Sequence, residues 1–190
     1  MVQTPQKTIT LEEFLNLPDT KPASEYIDGQ IIQKPMPQGK HSKLQGKSVT
    51  KINDLVEERQ IALAFPELRC TFGGRSIVPD VAVFAWNRIP VDANGEIANV
   101  FKTAPDWAIE ILSPDQSQTK VTKNILHCLA HGCSMGWLVD PDDRAVIVFP
   151  AGQQSQFFDE LDQVLPVPAL FSELQITVGE LFSWLQLNQS

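Results

Sequence analysis

Cysteine is scarce in this chain: Cys70, Cys128 and Cys133 are an odd number with no CxxC spacing. That excludes a disulfide framework and a zinc knuckle and leaves structural thiols as the expectation. The three histidines, His41, His127 and His131, include a pair four apart, but no HExxH and no third ligand accompany it, so a zinc protease is excluded. Ser113 and Ser117 sit in no GxSxG elbow and no glycine-rich loop resembles a phosphate cradle, which removes serine hydrolases and P-loop enzymes. Long apolar runs are also missing. VAVFAW and AVIVF fall far short of the roughly 20 residues that a bilayer span requires.

Basic charge is in deficit, with 15 Lys and Arg against 23 Asp and Glu and a net charge of -8. Phosphate neutralisation needs the opposite balance, so the chain does not coat nucleic acid by bulk charge, and any such contact must rest on a local patch. The opening MVQTPQKTITLEEF carries acidic residues and no apolar h-region, which predicts a cytoplasmic location.

What is present, 190 residues with 43% hydrophobic and 20% charged, predicts one globular domain over 1–190. Thr10 before LEEFLNL, with Glu13 three residues on, is a capping box that opens a short helix ending at Pro18. In EYIDGQIIQKP the pair Asp28-Gly29 predicts a hairpin from Glu25 to Gln33. Leu44, Ile52, Leu55 and Val56 form the apolar stripe of a helix over 40–59. On another side of it runs a basic column, Lys40, Lys43, Lys47 and Lys51, placed in the half of the helix where the macrodipole disfavours cations.

The runs IALAF, ELRCTF, VAVFAW, DWAIEIL, SMGWLVD and AVIVF read as one sheet. QTKVTKNILHCLAHG reads as a helix crossing between parallel strands. After a polar connection over 88–105, the tail FSELQITVGELFSWL supplies a closing helix over 178–185 with a capping box at Thr177 and Glu180. The architecture is α/β, a mixed sheet flanked by helices, with an N-terminal helix and hairpin.

Within WAIEILSPD, Glu110 interrupts an aliphatic run. A buried carboxylate needs a proton, a cation or several donors. Pro-Asp occurs five times, at Asp19, Asp80, Asp106, Asp115 and Asp142, so position must select among them. Asp106 shares the strand of Glu110 but lies roughly 13 Å away at about 3.3 Å per residue. Asp80 opens the preceding strand, and antiparallel pairing through the 88–105 connection sets it beside Glu110. The two carboxylates with a backbone carbonyl such as that of Ile111 form a hard oxygen set suited to Mg²⁺. A strand glutamate facing water and a turn aspartate are the plainer alternatives.

Asp80 in VPDVAVF, Glu110 in EILSP, the helix after it, GWLVDPDDRAVIVF, the SEYIDGQII hairpin and the His41 helix together resemble the Uma-type family of the PD-(D/E)XK restriction-endonuclease-like superfamily. The resemblance implies a restriction-endonuclease-like core, a Mg²⁺ (or Mn²⁺) site at Asp80 and Glu110 with Glu25 as a third carboxylate, and DNA as partner. It also implies a lysine that orients the attacking water. The superfamily's slot, two residues after the glutamate, holds Leu112, and the family's slot on the following helix holds Asn124. Lys120, one turn earlier on the same helix, is the expected substitute, with Lys123 beside it. Lys40, Lys43, Lys47, Lys51 and Arg75 are the expected contacts to the nucleic-acid backbone. A homodimer would cut both strands. The alternative is a nuclease-fold domain impaired in catalysis that binds nucleic acid or protein.

Overall fold

A computed structural model describes residues 9–114 and 116–187, so Asp115 and the first eight residues lie outside the described part. The chain runs α1 (Leu11–Leu15), β1 (Ser24–Ile27), β2 (Gln30–Gln33), α2 (Gly39–Val56), β3 (Ala62–Pro66), β4 (Cys70–Phe72), β5 (Arg75–Ile77) and β6 (Val81–Ala85). It continues through β7 (Trp107–Ile111), α3 (Gln118–Ala130), β8 (Met135–Asp140), β9 (Ala145–Pro150), β10 (Gln156–Phe158) and α4 (Val178–Ser183). The capping box at Thr10 and Glu13 forms as its spacing predicts, each side chain accepting from the other residue's backbone N–H.

The strands make two sheets. The main sheet has the order β10-β9-β8-β7-β6-β3, and the smaller has β2-β1-β5-β4. The sequence expectation of one sheet fails at ELRCTF. Glu67 adopts a left-handed φ of 47° just after β3, which turns the chain off the main sheet, and Cys70–Phe72 pairs with β5 instead. The long helix also ends earlier than its apolar stripe suggests. The Asn53 side chain exchanges two hydrogen bonds with the backbone of Ala64, and Gln60 turns left-handed at φ 51°, so α2 stops at Val56 and feeds directly into β3.

β7 is central, antiparallel to β6 and parallel to β8, with α3 as the crossover between the parallel pair. Covered on both faces, it buries all five of its residues, as a strand in such a position must. Ile109 and Ile111 join the larger core with Leu44, Ile52 and Val56 of α2 and with Val178, Leu181 and Phe182 of α4. Alternation sends Ala108 and Glu110 to the opposite face, where Ala108 packs with Ile77 of the small sheet and Cys128 of α3. Glu110 therefore faces the seam between main sheet, small sheet and α3.

The seam depends on a close approach of α3 to β8. A Cβ placed on Gly136 would stand 2.2 Å from Cγ2 of Ile125. Gly136→Ala is expected to cost about 1–3 kcal/mol by overpacking. Adding Ile125→Leu, which removes the offending branch, should recover part of that loss in urea denaturation midpoints.

Candidate metal and active site

The register that pairs Val81 with Ile109 continues to Asp80 and Glu110, so antiparallel geometry turns both side chains to one side. Asp80 is bound at every polar atom described for it. Its Oδ1 takes the Lys34 ammonium at 2.6 Å, its Oδ2 accepts from the Ile111 N–H at 2.7 Å and meets His41 Nε2 at 3.1 Å, and its carbonyl accepts from Gln45 at 2.8 Å. His41 and Gln45 are one turn apart on α2 and share its buried face.

Glu110 is held less firmly. Its Oε2 stands 3.6 Å from Lys34 Nζ. Glu25, on β1, accepts from the Val78 N–H at 2.8 Å and from the Asn124 amide at 3.1 Å. Lys34, just past β2, also donates to the Val78 carbonyl at 2.7 Å, so one ammonium lies among three carboxylates.

Burial opposes every one of these charges, and it wins at the two glutamates but not at Asp80 or Lys34. For Glu110, burial dominates; Lys34 opposes it, but Asp80 and Glu25 add to it, and the pKa rises well above the ordinary carboxylate range. Burial raises Glu25 in the same way against the pull of Lys34. For Asp80, burial is outweighed by Lys34 and His41, which bring it down to about 2. Lys34 stays above its ordinary value despite burial because Glu110, Asp80 and Glu25 all favour its charge.

A hard divalent cation is consistent with this donor set. The donors are oxygens, and the buried Oδ1 of Asn124, next to Glu25, has no hydrogen-bond partner. Among the described residues no three His, Cys, Asp or Glu side chains form a ready-made metal cage. Glu25 is turned to Val78 and Asn124, and Lys34 holds the Asp80 Oδ1. Asp80 and Glu110 are the two carboxylates that could share a cation.

Of the helix lysines, Lys120 lines a cleft of about 340 Å³ together with Glu25, Lys34, Glu110 and Asn124. Lys123 is exposed. Lys40 pairs with Asp142 and Lys51 with Glu180, while Lys43 and Lys47 are exposed. Arg75 grips both carboxylate oxygens of Asp28 in the hairpin turn. Asp106 is committed elsewhere, accepting from the Ala85 N–H and pairing with Arg88.

His127 stacks on Phe72, and the His131 ring meets Phe72 edge-on. The thiols are buried, Cys70 with its pKa pushed up to about 12 and Cys133 to about 11. Sequence reasoning missed Lys34, Gln45 and the placement of His41 against Asp80.

Comparison with known proteins finds no match among curated ones. It finds a crystal structure from Anabaena variabilis, described as a putative nuclease belonging to DUF820, with 63% identity and a TM-score of 0.92, covering 94% of this chain and 99% of that one. Such agreement shows that the two share a restriction-endonuclease-like fold. Among the described residues no helix is long and apolar enough to cross a membrane. A family model matches residues 11–179, from the first helix to the last, and the chain therefore belongs to the Uma2 family, described as putative restriction endonucleases.

Proposed function

We propose that this chain is a metal-dependent endonuclease that hydrolyses DNA phosphodiester bonds, with Asp80 and Glu110 holding Mg²⁺ or Mn²⁺ and the Ile111 carbonyl as a further oxygen. The observation that carries the reading is the buried pair of carboxylates on adjacent strands, Asp80 held by Lys34 at 2.6 Å and Glu110 reached by it only at 3.6 Å. A bound dication supplies charge stabilisation at the phosphate and lowers the pKa of its water. In the reaction, the oxygen of water bonds to phosphorus as the bond to the leaving sugar oxygen breaks. The proton lost by water is balanced by the one that the leaving oxygen gains.

The protein's own residues set the stage. The Ile111 N–H and His41 fix the Asp80 carboxylate, and Val78 and Asn124 fix Glu25 beside it. Lys120 on the cleft wall and Lys123 next to it supply positive charge from α3. Lys40, Lys43, Lys47, Lys51 and Arg75 follow the DNA backbone. Lys40 and Lys51 have exposed carboxylate partners, and such surface pairs contribute only about 0–1 kcal/mol, so phosphate displaces those carboxylates at small cost. The reading extends to a cytoplasmic homodimer that cuts both strands.

Leu112 and Asn124 in the two expected lysine positions support a second reading, a catalytically impaired nuclease-fold domain that binds nucleic acid or protein. The test is incubation of the purified protein with plasmid DNA in Mg²⁺, Mn²⁺ or EDTA. Cleavage that EDTA and Glu110→Ala both abolish is expected. Mn²⁺ binding by calorimetry without cleavage of any DNA favours the second reading, and undiminished cleavage by Glu110→Ala overturns the site.

A further inference from the structure

Both places where a water-orienting lysine is expected are filled by other residues. Leu112 packs with Val121, Ile125 and Leu138 and is committed to the core. Asn124 is buried, donates its amide to Glu25 and leaves its carbonyl oxygen without a partner.

A lysine nevertheless stands at the centre of the site, arriving from another part of the chain. Lys34 follows the hairpin strand β2, and its backbone N–H donates to the Ala23 carbonyl, which extends the hairpin by one rung. Its Nζ lies 2.6 Å from Asp80, 2.7 Å from the Val78 carbonyl and 3.6 Å from Glu110. The side chain is only 12% exposed, so it is largely packed.

Two clefts meet at this residue. One, of about 340 Å³, contains Glu25, Glu110 and Lys120; the other, of about 380 Å³, contains His41, Asp80 and Ser113. Lys34 lines both. A strand laid across the seam would pass over its ammonium with one carboxylate on either side.

Resting on the nuclease reading above, we infer that Lys34 is the active-site lysine, delivered by the β1–β2 hairpin instead of by α3, and that Asn124 now orients Glu25. A compact ammonium with three donors can keep its hold on Asp80 and the Val78 carbonyl while its third N–H directs the attacking water. Lys120 and Lys123 sit farther out, on the exposed face of α3.

Lys34→Arg separates this role from simple charge balance, because a planar guanidinium keeps the charge but not the point geometry. It is expected to fold, to bind Mn²⁺ in calorimetry and to cleave DNA about 10²-fold more slowly, within the range for a positioned proton-handling group. Lys34→Met should cleave at least as poorly, and Lys34→Met/Asn124→Lys, which restores an ammonium from the helix slot, should regain about tenfold or more. Wild-type cleavage rates in Lys34→Arg overturn the assignment. So does a folded, Mn²⁺-binding double variant that recovers nothing. A wild type that cleaves no DNA overturns the nuclease reading and this assignment with it, whereas an active wild type with an equally active Lys34→Arg overturns this assignment alone.

Discussion

Glu110→Gln is expected to make the protein more stable while removing its activity. At neutral pH the Glu110 carboxylate is buried beside Asp80 and Glu25, and burial, only partly opposed by Lys34, raises its pKa well above 4.5. A raised pKa means that the folded state holds the proton more tightly than the unfolded chain does. The favourable contribution is therefore complete below the unfolded value and is lost as pH rises through the folded one. Above the unfolded value the buried carboxyl works against the fold. Glutamine keeps the shape without the charge, and Lys34 retains Asp80 and the Val78 carbonyl.

The expected gain at pH 7 is about 0.5–2 kcal/mol, typical of relieving a strained functional site, and it should fade below about pH 4. Metal affinity should fall below detection and cleavage by about 10³-fold. Urea denaturation at pH 7 and pH 4, calorimetry against Mn²⁺ and a plasmid cleavage assay measure the three. A variant that is less stable at pH 7 would show that Glu110 is a structural anchor.

Asp80→Ala should have the opposite effect on stability although it removes the other half of the same pair. Asp80 neutralises Lys34, accepts the buried Ile111 N–H and meets His41. Its loss strands a buried donor and leaves Lys34 without its 2.6 Å partner, with Glu110 at 3.6 Å. Breaking a buried pair in this way costs about 3–5 kcal/mol. Despite burial, Lys34 and His41 lower the Asp80 pKa from 3.8 to about 2. Its contribution is thus present above the unfolded value and is lost as pH falls through about 2, so wild type and Asp80→Ala should converge in stability between pH 4 and pH 2. A difference that persists at pH 2 would mean that the cost comes from backbone disturbance instead.

The contrast between these two carboxylates follows from facts at different levels of legibility. That they meet was readable, because a strand opening on Asp80 and another closing near Glu110 can pair in one sensible way through a long connection. The division of labour was not. Whether a carboxylate is anchored or merely confined depends on the Ile111 N–H, His41 and Gln45, and which face of α2 meets Asp80 is decided by packing of the whole helix.

The small sheet was hidden for a similar reason. ELRCTF has the composition of any half-buried strand, and only the backbone turn at Glu67 takes it off the main sheet. Lys34 is the instructive case because its signal was present. Asp28-Gly29 fixes the hairpin register, which sets Glu25 opposite Ile32, and Lys34 is two residues beyond Ile32 on the same face. A hairpin carrying an acid and a base on one face is a stronger signal than a lysine on the polar side of a helix.

The clasp at the far end of β6 and β7 bears on how the protein tolerates change. Arg88 bonds Asp106, Thr103 and the Ala104 carbonyl, and Asp106 also holds the Ala85 N–H, so the connection is fastened at its base before its exposed tip at 92–96. Asp80 and Glu110 lie at the opposite ends of those two strands. The length of the connection is thereby uncoupled from the spacing of the carboxylates, and the Asn94-Gly95 turn becomes a place where lineages can lengthen the chain, or an experimenter can graft a tag, without retuning the chemistry.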